Sequence, residues 1–220
     1  MRTVLLAAAA LLAAGSVLAD DYVTHNFSSG APLGAVRRLV IDIPAGDVNL
    51  RNGAAGRINV TGSVRRDYDD DREKQQRVVD DISVEIYTSP TDAVVRRKLG
   101  PNGRNWSARN NSDYRVTIEV PPGLDVDVET KYGDVDIDGV FGSVLIDLRA
   151  GEIHAVFPRE MVKDLSASVR VGEVHAAVGD RRIDNEGVFP RAAKWTNPSG
   201  GRSSVNLHTT AGEVHVTLKP

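Results

Sequence analysis

The sequence predicts an all-β fold, a β-solenoid built from strand–turn–strand units of about 20 residues. Three observations predict it. A Gly-acid-aliphatic step occurs five times, as Gly46-Asp47-Val48, Gly133-Asp134-Val135, Gly151-Glu152-Ile153, Gly172-Glu173-Val174 and Gly212-Glu213-Val214. The glycines of the last four copies lie 18, 21 and 40 residues apart, near one, one and two multiples of a single period. Apolar residues alternate with polar ones on both sides of each glycine, the period-two pattern of a half-buried strand.

Aligned on the glycine, the apolar positions form columns. Leu39, Val126, Val144, Leu165 and Val205 make the first, and Ile41, Val128, Ile146, Ala167 and Leu207 the second. Beyond the glycine come Val48, Val135, Ile153, Val174 and Val214, then Leu50, Ile137, Ala155, Ala176 and Val216. β-Branched residues dominate, which suits strands. Glycine is expected at the turn because it takes positive φ without a Cβ clash. One unit buries too little apolar surface to offset the ordering of its own backbone, so the copies must stack. Two arrangements fit: a solenoid with equivalent strands paired in parallel, or an antiparallel meander or sandwich in which each Ala-Gly is a hairpin turn. Hairpin loops favour Asn-Gly or Asp-Gly, so Ala45-Gly46, Ala150-Gly151 and Ala211-Gly212 favour the solenoid.

The remaining elements follow in chain order. Residues 1–19 read as a cleaved signal peptide: Arg2 supplies the positive start, Val4–Ala14 the apolar core and Val17-Leu18-Ala19 the cleavage triplet. Residues 20–220 read as a single β-repeat domain with insertions at about 65–81, 88–113 and 179–203. Ile58–Val64 reads as a strand, Asp69–Asp80 as a short charged surface helix, and Ile82–Tyr87 as the next strand. Within the turn-rich stretch 88–113, Val94–Leu99 is expected as one arm of a hairpin whose other arm is Tyr114–Val120. Trp195 and Phe189, in the last insertion, are expected to cover an edge or end of the stack.

Composition narrows function. The net charge of −3 offers no electrostatic footprint for nucleic acid or an anionic membrane. With no cysteine, the chain has neither disulfides nor a lipidated cysteine. No transmembrane segment follows residue 19. The expected location is therefore periplasmic or secreted.

The outward columns carry the candidate chemistry. An acid follows each glycine, and two residues further stand Asn49, Asp136, His154, His175 and His215. Stacked in register, His154, His175 and His215 with Glu152, Glu173 and Glu213 are candidate ligands for a divalent transition metal, since imidazole and carboxylate suit zinc, copper or nickel. The competing reading is a solvated face whose acids pair with Lys131, Arg149 and Arg170 across the turn. The acids Asp125, Asp127, Asp134, Asp136 and Asp138 resemble the paired carboxylates of polysaccharide-cleaving β-helices. Against an enzyme stands the lack of a Gly-x-Ser-x-Gly elbow, a His-Glu-x-x-His helix or a phosphate-cradling loop.

Pro121-Pro122-Gly123-Leu124, Val126-Asp127-Val128-Glu129-Thr130, Tyr132-Gly133-Asp134-Val135 and Gly142-Ser143-Val144 resemble the bacterial putative-adhesin family of β-strand-repeat envelope proteins. Ile43-Pro44-Ala45-Gly46-Asp47-Val48, the acidic helical insert and Ile118-Glu119-Val120-Pro121 are similar to that family's earlier part, so the resemblance spans about residues 36–218. It implies an exported β-solenoid-like domain and carries over no catalytic residues. The leading expectation is a non-enzymatic envelope protein presenting a surface to a protein or glycan. The alternatives are a periplasmic metal- or pH-responsive protein using the histidine column, and a carbohydrate-active enzyme.

Overall fold

Every repeat glycine marks a corner at which a strand changes the face it buries. The computed structural model describes residues 21–68, 71–104 and 112–220, so the signal-like segment 1–19 lies outside the described residues. The strands are β1 (Tyr22–Pro32), β2 (Arg38–Asp42), β3 (Asp47–Asn52), β4 (Arg57–Asp67), β5 (Ile82–Thr88), β6 (Asp92–Leu99) and β7 (Asp113–Val120). They continue with β8 (Asp125–Tyr132), β9 (Val135–Asp138), β10 (Val144–Pro158), β11 (Val162–Val178), β12 (Arg181–Arg182), β13 (Arg191–Thr196) and β14 (Ser203–Lys219). The α-helix α1 (Arg72–Asp80) starts where the Asp71 side chain accepts the Lys74 N–H at 2.9 Å and buries Val78 and Val79.

All four apolar columns are buried, none of their members more than 2% exposed. A further inward column, Ile43, Thr130, Leu148, Val169 and Thr209, lies three residues before the glycine. From this column to the next inward one past the glycine is five residues, an odd number. On a straight strand such positions would point to opposite sides, so the strand must turn its face at the corner. The glycines there have φ from +117° to +139°, a conformation that side chains resist. A Cβ on Gly133, Gly151, Gly212 or Gly172 would also run into the carbonyl oxygen of the neighbouring glycine in the stack.

The copies pair in parallel and in register: Leu39 with Val126, Val126 with Val144, Val144 with Val205, and Val205 with Leu165. Parallel pairing is what the solenoid expectation requires, and it excludes a hairpin at each Ala-Gly. In β10, β11 and β14 the glycine is a bend within one strand of 15, 17 and 17 residues rather than a turn between two. A progressive coil is not what forms, however. The spatial order of the glycines is 46, 133, 151, 212 and 172, because β14 inserts between β10 and β11. The insertion at 179–203 does not complete a rung in sequence; it supplies β12 and β13, which run antiparallel along the free side of β11.

Antiparallel strands flank the parallel stack. On the half after the corners the order is β1-β4-β7-β3-β9-β10, and on the half before them β10-β8-β2-β6-β5. The hairpin partner of β6 is β5, through the turn at Ser89–Asp92, not Tyr114–Val120, which goes to the other half between β4 and β3. The two halves enclose one core cluster, and the edge strands β1 and β5 meet, so the all-β sheet is barrel-like and nearly closed. Trp195, opposite Leu165 on the strand that flanks β11, packs against the core, whereas Phe189 stands in solvent, 65% exposed, within 5.9 Å of Arg170. Among the described residues, no helix is long and apolar enough to cross a membrane.

Candidate functional site

The half-sheet after the corners turns a polar face to solvent, and the parallel register lines up its side chains. Asn49 on β3, Asp136 on β9, His154 on β10, His215 on β14 and His175 on β11 occupy neighbouring positions in that order. The three histidines predicted to line up do so, with His215 in the middle because β14 is the inserted strand. The His215 ring stacks on His154 at 4.9 Å and 10°, and on His175 at 4.7 Å and 19°. Those separations match the ~4.8 Å spacing of paired strands.

Each histidine meets the glutamate two residues before it, since alternation puts both on one face. His154 Nε2 lies 3.0 Å from Glu152 Oε2, His215 Nε2 3.0 Å from Glu213 Oε2, and His175 Nε2 3.4 Å from Glu173 Oε2. Glu213 also reaches across the strands, its Oε2 3.9 Å from His175 Nε2. On the other side of His175, Arg182 Nη2 approaches Nδ1 at 3.5 Å. His175, Glu213 and His215 thus present three ligand atoms within 4.8 Å of one another. His154 and Glu152 are next to this group, and Glu173 is shared between His175 and Arg191, its Oε1 3.3 Å from Arg191 Nη1.

The acid column divides. The shorter aspartates serve the corners: Asp47 Oδ1 accepts the Asp134 N–H at 3.3 Å and Asp134 Oδ1 accepts the Glu152 N–H at 2.9 Å. Ion pairs to this column come from Arg115, 3.3 Å from Asp47, and from Arg191, rather than from Lys131, Arg149 or Arg170. Burial holds the Asp136 carboxyl above its ordinary pKa; His154 opposes this, while Asp134 and Asp47 add to it. The five acids that resemble a glycosidase cluster do not converge. Asp125 and Asp127 sit on β8, before the corner, and Asp125 accepts the Ser143 N–H at 2.7 Å. Asp136 and Asp138 lie beyond the corner on β9.

The same outer face continues into a groove of about 680 Å³ over β1, β4, β7, β3 and β9. Its polar lining includes Asn26, Asn49, Thr61, Arg115, Thr117 and Asp136. Asn49 and Asp136 were legible as members of the outward column. Asn26, Thr61, Arg115 and Thr117 were missed, because they come from strands outside the repeat. For Arg115 and Thr117 the signal was the polar alternation of β7, Arg115-Thr117-Glu119, whereas Asn26 and Thr61 lie on β1 and β4.

Together, fold and site define an all-β protein whose parallel stack carries an open, ionisable outer face. No protein-family model matches the chain, and no curated protein matches it. Among solved structures it is similar in fold to a putative cell adhesion protein from Clostridium sporogenes, at 13% identity and a TM-score of 0.50, over 89% of this chain and 100% of that one. A putative lipid binding protein and a putative adhesin from Parabacteroides distasonis align over 87% of this chain and 96% and 97% of theirs. Their identities are 7% and 9%, and the TM-score is 0.28 for both.

Proposed function

We propose that the protein is an exported, non-enzymatic binding protein of the bacterial envelope, adhesin-like in role, whose outer sheet face receives its partner. The observation that carries this reading is the groove over β1, β4, β7, β3 and β9. Amide, hydroxyl, carboxylate and guanidinium groups line it, with Phe27, Val48 and Val116 among them. Such a surface suits a glycan, whose hydroxyls both donate and accept and whose ring faces are apolar. Its openness to water argues against catalysis, which depends on donors preorganised where water is excluded. The signal-like segment 1–19 and the resemblance of residues 36–218 to envelope proteins support export to the periplasm or beyond.

A glycan array probed with the purified protein tests the reading. Binding of at least one envelope or host glycan is expected. It should be lost in Thr117→Trp, which fills the groove, while the melting temperature stays within about 2 °C because the side chain faces solvent. A protein that retains no glycan, or Thr117→Trp that binds as before, overturns the glycan reading. Shortening of a retained glycan on incubation overturns the non-enzymatic one.

A further inference from the structure

We propose that His175, Glu213 and His215 bind a divalent transition metal of the zinc, copper or nickel class at the junction of β11 and β14. This goes beyond the groove reading and does not depend on it. The site is assembled by register. Parallel pairing sets His175 beside His215 and Glu173 beside Glu213, so two imidazoles and a carboxylate from adjacent strands share one outward face. Glu213 Oε2 sits between the two ring nitrogens, 3.0 Å from His215 Nε2 and 3.9 Å from His175 Nε2.

A tetrahedral ion with bonds of about 2.0–2.1 Å needs its donors about 3.3 Å apart. The observed donor atoms lie within 4.8 Å of one another, on side chains between 35% and 44% exposed. Small rotations of exposed side chains can close that difference without moving the backbone. Two neutral imidazoles and one carboxylate form the borderline donor set that zinc, copper(II) and nickel prefer over calcium or magnesium, which favour oxygen alone.

The proton balance is simple. In the metal-free protein the contact from Arg182 makes His175 Nδ1 the acceptor, so Nε2 carries the ring proton toward the glutamates. For Nε2 to ligate, that proton moves to Nδ1 and the Arg182 contact, long at 3.5 Å and exposed, is released. His215 Nε2 faces Glu213 Oε2 at 3.0 Å and so carries the ring proton that the carboxylate accepts; for this Nε2 to ligate, that proton too moves to Nδ1. His154 is not a donor. It stacks on the far side of His215 and is held by its own Glu152, so it positions the middle ring. The same register with Asn49 and Asp136 instead of histidine cannot form this donor pair on β3 and β9.

The test uses the purified protein with Zn²⁺ or Cu²⁺ alone as probe. One equivalent should bind, and the melting temperature should rise by about 5 °C when free metal exceeds Kd a hundredfold. Mg²⁺ and Ca²⁺ should leave it unchanged. His175→Ala and His215→Ala should each weaken binding at least tenfold, and Glu213→Gln about tenfold or less. His154→Ala should cost no more than about threefold, and His208→Ala, on the other half-sheet, nothing. The electron paramagnetic resonance spectrum of the Cu²⁺ form should show coupling to two imidazole nitrogens. An unchanged melting temperature with every metal overturns the site. So does a His175→Ala protein that binds as tightly as His208→Ala, or a spectrum with one coupled nitrogen.

Discussion

Two regions of the stack share every inward position and differ on the outside. In the rungs of Gly46 and Gly133 the acid is aspartate and the outward residue two further on is Asn49 or Asp136. In the rungs of Gly151, Gly212 and Gly172 the acid is glutamate and that residue is histidine. One methylene separates the two behaviours. Asp47 and Asp134 are short enough to accept the backbone N–H of the next rung, so they brace the corner. The glutamates extend past the backbone and meet the histidine on their own strand. The corner itself differs too: β2 and β3, like β8 and β9, are separate strands, whereas β10, β11 and β14 run through the glycine unbroken. Buried positions in a repeat are held alike by packing, while outward ones are free to specialise, and here a groove-forming face and a histidine-bearing face divide the sheet.

Substitutions that treat both regions alike should have the largest effect. Gly151→Ala places a Cβ against the Gly133 carbonyl at φ +139°. Urea denaturation should show a loss of at least about 4 kcal/mol, or no folded protein. Gly123→Ala, at φ +89° but in open space, should cost about 1 kcal/mol. Near-equal losses would break the argument that the glycine column is needed for close stacking as well as for its conformation. Next come the core positions. Ile137→Ala in the aspartate rungs and Ile153→Ala in the histidine rungs, both at most 1% exposed, should each cost about 3 kcal/mol. A difference above about 2 kcal/mol between them would show that the inward columns are not equivalent. The smallest effect separates two threonines in one inward column. The Thr130 hydroxyl on β8 is buried without a hydrogen-bond partner, whereas Thr209 on β14 donates to the Ala211 carbonyl at 3.3 Å. Thr130→Val should therefore raise stability by about 1 kcal/mol, and Thr209→Val should not raise it. A gain at both would remove this distinction between the rungs.

Much of this was legible without coordinates. The four apolar columns, the strand Ile58–Val64 and the lining-up of His154, His215 and His175 all follow from periodicity, which reports which residues share a face, and the short surface helix follows from its run of charge. The inward column of Ile43, Thr130, Leu148, Val169 and Thr209 was hidden by its two threonines, whose polarity masks burial. The partner of β6 was misread because a tight turn at Ser89–Asp92 and the longer stretch before Tyr114 look equally turn-rich in composition.

What the sequence determined by itself is therefore local: which residues alternate inward, where glycine must stand, and which acids and histidines share the outward face. Only the tertiary structure decided that β14 enters between β10 and β11, that His215 is consequently the middle ring, and that Asn26, Thr61, Arg115 and Thr117 join Asn49 and Asp136 in one groove. The physical reason is that every copy carries nearly the same apolar columns, so any two can pair in register. Which two become neighbours is settled by how the whole chain closes its core and covers its edges.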